Sequence, residues 1–136
     1  MNTPIVVDTS ALIAVLFAEE DADVYLDALD RYAGRLVLSQ VTRVELRIVV
    51  ESRHGSAGVA RLARLMAELH AECVPIDDAT SLAAIAGWRQ YGKGRHPARL
   101  NLGDCFSYAL AKNLGAPLLF KGNDFSQTDI VGALQR

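Results

Sequence analysis

Three consecutive residues constrain this chain more than any others. Ile5-Val6-Val7 is apolar and β-branched throughout, stops at Asp8-Thr9-Ser10, and gives way at once to a helical stretch, Ala11 to Phe17. A strand with no polar residue on either face has to be covered on both faces, and the polar triplet that ends it has the composition of a helix N-cap. The punctuation recurs. Leu36-Val37-Leu38 ends at Ser39 before a helical stretch reaching about His54, with Gly55 beyond it, and Leu118-Leu119-Phe120 ends at a loop, Lys121 to Thr128. Short apolar strands alternating with helices predict a three-layer α/β/α sandwich on a mostly parallel sheet, because parallel strands need helical crossovers.

The intervening segments supply those helices. Glu19-Glu20-Asp21 opens an amphipathic stretch with Val24, Leu26 and Leu29 on its apolar positions, closed by Gly34. Val59, Leu62, Leu65, Met66 and Leu69 recur at helical spacing and predict a separate helix to about Glu72. Val74-Pro75-Ile76 is extended, with Pro75 pointing to a sheet edge, and Asp77-Asp78 caps a helix to about Tyr91. Asp104 begins the last helix, which Gly115 ends, and a further strand is expected near Ile130-Val131. Nothing resembles a linker or a repeat, so residues 1–136 are expected to form a single domain.

Composition narrows the function classes. A formal net charge of −2 provides no global basic field, so any nucleic-acid binding has to be local. Cys73 and Cys105 are too few for a disulfide framework or a four-ligand zinc site and are expected to be buried reduced thiols. The N-terminal residues lack the basic region of a signal peptide, and Asp8, Glu19, Glu20 and Asp21 bracket the longest apolar run, so a cytoplasmic protein without membrane insertion is expected.

Ligands of open parallel sheets gather at the carboxyl ends of the strands, near the point where strand order reverses. Asp8 follows the first strand directly and Asp124 lies just past the strand at Leu118, while Glu45 and Asp104 belong to helical segments. Each has a plain structural alternative. Asp8 is a possible cap residue, Thr42-x-x-Glu45 matches a capping box, Asp104 suits a first helical turn, and Gly-Asn-Asp-Phe around Asp124 is an ordinary turn. Four acids from four segments, none with a basic partner nearby in sequence, nevertheless form the hard oxygen set that Mg²⁺ or Mn²⁺ prefers.

The motifs carrying these acids are more specific together. Val-Asp-Thr-Ser-Ala-Leu at Val7 to Leu12, Thr-Arg-Val-Glu-Leu at Thr42 to Leu46, Leu-Asn-Leu-Gly-Asp-Cys-Phe-Ser-Tyr-Ala-Leu-Ala at Leu100 to Ala111, and Leu-Leu-Phe-Lys-Gly-Asn-Asp-Phe-Ser-Gln-Thr-Asp-Ile at Leu118 to Ile130 resemble the four signature segments of PIN domains. Their order and spacing resemble the VapC toxins of bacterial toxin–antitoxin pairs across nearly the whole chain. The resemblance implies an Mg²⁺-dependent endoribonuclease, with Mn²⁺ as a substitute, that cleaves structured RNA and inhibits translation or growth. It implies a centre of Asp8, Glu45, Asp104 and an acid near Asp124 that binds one or two divalent ions, with Ser10 supporting the first; of these, Asp8 and Asp104 are assigned as the metal ligands. It further implies a cognate VapB-like antitoxin and a homodimer. One departure matters: Asn123 stands where similar proteins often have aspartate, which leaves the fourth position open between Asn123 and Asp124, with Asp124 preferred.

Substrate contacts are expected from a basic loop before Asp104, comprising Lys93, Arg95, His96 and Arg99, and from Arg43, while Arg43 and Arg47 also suit a solvated helix face. Trp88 and Tyr91 are read as core or interface rather than as base-stacking surfaces. Two rival readings stand beside the nuclease. An aspartyl phosphoryl-transfer domain also places Asp after its first strand, although Asp8-Thr9-Ser10 lacks a second acid two residues on. A catalytically weak PIN-like binding module fits the Asn123 departure.

Overall fold

The structure is a computed structural model and describes residues 3–134. Its strands are β1 (Ile5–Val7), β2 (Leu36–Ser39), β3 (Glu72–Val74) and β4 (Leu118–Leu119). They form one four-stranded sheet in the order β3-β2-β1-β4, with all three pairings parallel. The helices are α1 (Thr9–Leu16), α2 (Ala22–Arg31), α3 (Gln40–Leu69), α4 (Asp78–Tyr91) and α5 (Leu102–Leu114).

Alternation along the strands sorts the core into two layers. Ile5 and Val7 join Leu36, Leu38 and Leu119 in a cluster with residues of α1, α2 and α3. Val6, pointing the other way, joins Leu118 and the buried residues of α4 and α5. The sheet is thus covered on both faces, as the unbroken apolar runs require. Strand order proceeds outward from β1 to β3 and then returns to the opposite side of β1 for β4, so the topological switch lies where β1 and β4 end.

Several boundaries differ from expectation. The two helices expected on either side of Gly55 are present and abut without a connecting loop, together spanning α3, with the break at Gly55, where φ is 62° and ψ is −154°. That conformation is open to glycine at little cost. α3 ends at Leu69 with His70 in the left-handed region, so Glu72 belongs to β3 and the edge strand precedes Pro75. In α2 the buried residues are Tyr25, Ala28 and Leu29, whereas Val24 and Leu26 are exposed. Ile130-Val131 forms no strand; the sheet gains only an isolated bridge between Leu118 and Gly132. Cys105 is buried and Cys73 half-buried, both free thiols. Among the described residues, no helix is long and apolar enough to cross a membrane.

Candidate active site

Asp8 leaves β1 at the switch point and is only 4% exposed. It caps α1, with its Oδ2 accepting from Ser10 N at 3.1 Å and from Ser10 Oγ at 2.6 Å. Its Oδ1 accepts from Ser107 Oγ of α5 at 2.7 Å. Ser107 also lies 3.2 Å from Thr42 Oγ1, which is 3.3 Å from Ser39 Oγ, so a buried row of hydroxyls runs from the end of β2 to the Asp8 carboxylate. Three donors compensate a charge that burial would otherwise penalise heavily. With both oxygens engaged, Asp8 makes a poor nucleophile for the aspartyl phosphoryl-transfer reading. Oδ1, which accepts only from Ser107, still keeps a lone pair for a ligand.

Glu45 is not part of a capping box. Ser39 caps α3 by accepting from Thr42 N at 3.1 Å, which places Glu45 beyond the first turn. Its Oε1 accepts from Thr9 Oγ1 at 2.6 Å. The carboxylate rests against the backbone of α5: a Cβ added to Gly103 would lie 2.6 Å from Oε2 and 2.7 Å from Oε1. Only glycine allows this approach, because real Cβ atoms essentially never come under 3.0 Å.

The capping box belongs to α5 instead. Asn101 Oδ1 accepts from Asp104 N at 2.8 Å, and Asp104 Oδ2 accepts from Asn101 N at 3.0 Å. Asp104 therefore stands at the third helical position rather than at the helix start. Its carboxyl is pushed up to about 7, chiefly by burial and then by the Asp8 charge, with Asp124 and Glu45 adding to the rise and the Asn101 N–H opposing it. One residue on, burial and the Asp104 charge push the Cys105 thiol up to about 11, which leaves it protonated and unsuited as a soft ligand.

Asp124 is exposed and precedes a single 3₁₀ turn, Phe125–Gln127. Its charge is felt by Asp104, which neutral Asn123 cannot match. What steadies its loop is Lys121. The Lys121 N–H donates to Ser10 Oγ at 3.0 Å, and Nζ donates to Glu19 Oε1 and Asp21 Oδ1, each at 2.8 Å. Those hydrogen bonds hold the Lys121 ammonium above its ordinary pKa. Ser10 thus touches both the first acid and the loop carrying the fourth.

The four acids accordingly share one field at one edge of the sheet. Among the described residues, however, no three acids, histidines or cysteines form a ready chelate. The donor set still fits a hard divalent cation: the groups are carboxylates, and Asp104 is left with uncompensated repulsion that a cation would relieve. The residues that would hold it are Asp8 and Asp104, with the Asp124 charge nearby.

Sequence reasoning missed Thr9, Thr42, Gly103, Ser107 and Lys121. Ser107 had a legible signal, since it lies three residues after Asp104 and so on the same helical side. Gly103 had one too, as a glycine inside a first helical turn. Of the basic candidates, Lys93, Arg95, Arg99 and Arg43 are exposed, and Arg47 pairs with Glu51. His96 is turned inward, its Nδ1 accepting from Ala98 N and its ring edge-on to Tyr91. Of the two aromatics read as core or interface, Tyr91 is core and Trp88 is 45% exposed.

The PIN domain family model matches residues 5–131, spanning all four acid-bearing segments. The chain belongs to the PIN-domain family. Within it, the chain is 46% identical to ribonuclease VapC30 of Mycobacterium tuberculosis over 125 residues, covering 92% of this chain and 95% of that protein. It is 42% identical to ribonuclease VapC28 of the same organism over 132 residues, covering 96% and 98%. Among solved structures it is similar to M. tuberculosis VapC20, a toxin described as cleaving the sarcin–ricin loop, with a TM-score of 0.76 at 16% identity over 93% of this chain and 96% of that one. A toxin–antitoxin complex from Klebsiella pneumoniae aligns with a TM-score of 0.69 at 17% identity, covering 97% of this chain and 99% of that one. At such identities the structural matches establish the PIN fold, and the VapC relatives place the chain among PIN domains of the VapC type.

Proposed function

We propose that this PIN domain, read as one domain over residues 1–136, is a divalent-metal-dependent endoribonuclease and the toxin of a type II toxin–antitoxin pair. The observation that carries this reading is the Asp104 carboxyl, pushed up to about 7 by burial and three neighbouring acids at the strand switch point. Acids from four separate segments that perturb one of their number at a strand switch point mark a candidate functional site.

When bound, Mg²⁺ or Mn²⁺ would neutralise phosphodiester charge and make a water more acidic. Asp8 and Asp104 would hold it, Asp8 in an orientation set by Ser10 and Ser107. Glu45 would accept the proton of the attacking water, at Oε2 since the Thr9 hydroxyl already donates to Oε1. Asp124, brought in by Lys121, completes the negative charge. Lys93, Arg95, Arg99 and Arg43 supply the local positive charge that the acidic total lacks.

An apolar face of Val44 and Ile48 on α3, at 56% and 62% exposure, supports an interface beside the site. A homodimer and a VapB-like antitoxin are the partners this reading assigns, in the cytoplasm. The test is incubation with structured RNA, with Mg²⁺ and with EDTA, followed by sequencing of the new ends. Cleavage at defined positions that EDTA abolishes is expected. RNA binding without cleavage would leave the protein a binding module.

A further inference from the structure

A groove of roughly 570 Å³ opens between α4 and α5, outside the carboxylate cluster. Ile85 and Trp88 of α4 and Leu102 and Phe106 of α5 supply apolar walls, with Lys93 and Asn101 among its polar residues. Its size lies within the range of sites that hold small organic groups, about 300–1,000 Å³.

Three features restrict the occupant. Trp88, with 45% of its surface exposed, presents a flat aromatic ring where the helix could have carried a polar residue. The Arg95 guanidinium lies over one face of the indole, 4.7 Å from its centroid and held there by donation from Nε to Arg89 O, so the stacking surface offered to the groove, which Arg95 does not line, is the other face. The far wall is the first turn of α5, where Asn101 and Asp104 exchange hydrogen bonds. Because Asn101 Oδ1 is taken by Asp104, the group it can offer a ligand is its amide donor pair. The occupant therefore needs a flat apolar body, an anionic attachment near Lys93 and Arg95, and a position next to the acidic centre.

We infer that this groove receives an unpaired nucleobase of the RNA substrate, stacked on Trp88, with the adjoining phosphate neutralised by Lys93 and Arg95. The inference rests on the ribonuclease reading and adds to it a requirement for unpaired bases at the cleavage site. Stacking on aromatic side chains tolerates any base, since each has a π-face, while a continuous duplex has no base free to enter. Trp88 acts as a binding and specificity residue, and the chemistry remains with the acids.

Trp88 is the chain's single tryptophan, so its emission reports on the groove directly. The full chain, in EDTA, is titrated with a cleavage-resistant 2′-O-methyl RNA hairpin, with a fully paired duplex of equal length, and with the same hairpin bearing an abasic loop. Quenching by the hairpin but not by the other two is expected. Trp88→Leu should weaken hairpin affinity roughly 5- to 150-fold, the range of one base–aromatic stack, with Trp88→Phe weakening it less. In cleavage assays both variants should raise KM more than they lower kcat. Hairpin binding with unchanged emission would overturn the inference and leave the ribonuclease reading standing. Equal quenching by the abasic hairpin would overturn it as well, since displacement of Arg95 by backbone phosphate would then suffice. A blue shift that follows protein concentration alone, with Trp88→Leu monomeric, would assign the groove to a second copy of the chain. Neither binding nor cleavage of any RNA would overturn both readings.

Discussion

Asp8 and Asp104 bring the same functional group to the same edge of the sheet, and their surroundings treat them in opposite ways. Asp8 is nearly inaccessible but receives Ser10 N, Ser10 Oγ and Ser107 Oγ. Asp104 is less buried, receives one backbone N–H, and faces three other acids. Burial alone does not decide the cost of a carboxylate; the number of donors aimed at it does. Asp8 is integrated into the fold, whereas Asp104 retains an electrostatic cost that a proton or a cation can remove.

The sharpest break in this comparison would come from neutralising each acid in turn. Asp8→Asn and Asp104→Asn are both expected to reduce RNA cleavage by at least about a hundredfold, the scale of removing one preorganised electrostatic group. Their stabilities should diverge. Asp8→Asn replaces one acceptor oxygen by an NH₂, which must face either Ser107 Oγ or the two Ser10 donors, and should cost about 1–3 kcal/mol. Asp104→Asn should melt no lower than the native chain in EDTA. Equal melting temperatures for the two variants would erase the distinction.

Gly103→Ala probes the same edge without touching a charge. The new Cβ would meet Glu45 Oε2 at 2.6 Å, forcing that carboxylate away from the Asp104 turn. Cleavage should fall about 10- to 100-fold, because displacement of a reacting group by about 1 Å costs this much. Hairpin RNA binding should persist, and undiminished cleavage would show that Glu45 need not sit against α5.

Metal and pH sharpen the contrast further. The Asp104 carboxyl, at about 7 in the folded chain against its ordinary value of 3.8, binds protons more tightly when folded. Its contribution to stability is therefore greatest at low pH and declines as pH rises through about 4 to 7. Without divalent ions, the melting temperature attributable to this group should drop by a few degrees across that window, and Asp104→Asn should remove the drop. Millimolar Mg²⁺ should restore stability to the native chain, since a ligand binding only the folded state stabilises it by mass action, and should do little for Asp104→Asn.

The smallest expected effect distinguishes Asp124 from Glu45. Both raise the Asp104 carboxyl, Asp124 by more. Asp124→Asn should move the midpoint of the pH-dependent loss of stability down more than Glu45→Gln does, as followed by melting curves in EDTA. The reverse order would place the loop farther from Asp104 than the structure has it.

Much of this was open to reading in the chain alone. Ile5-Val6-Val7-Asp8 specified a strand buried on both faces with an acid at its end, because an all-apolar run and a polar stop are local properties. The four acid-bearing motifs specified the family for the same reason, and the family match spans them. Helix caps proved less legible. Thr42-x-x-Glu45 and Asn101-x-x-Asp104 both fit the capping pattern, yet only the second forms a box, since Ser39 already caps α3. A cap motif is local, but which hydroxyl starts a helix depends on where the preceding strand ends in the sheet.

What only the tertiary structure decided is the state of each acid. Glu45 meets Gly103 and Thr9 across 58 and 36 positions of sequence, and Ser107 reaches Asp8 across 99. The charge of Asp104 is set by burial and by acids from three other segments. Such terms depend on distance through space and on exclusion of water, and neither is encoded in the spacing of residues along the chain. The sequence by itself named the carboxylates and the sheet edge that gathers them. The packing of α3 and α5 against β1 determined that Asp8 is satisfied by hydroxyls and that Asp104 is held under repulsion.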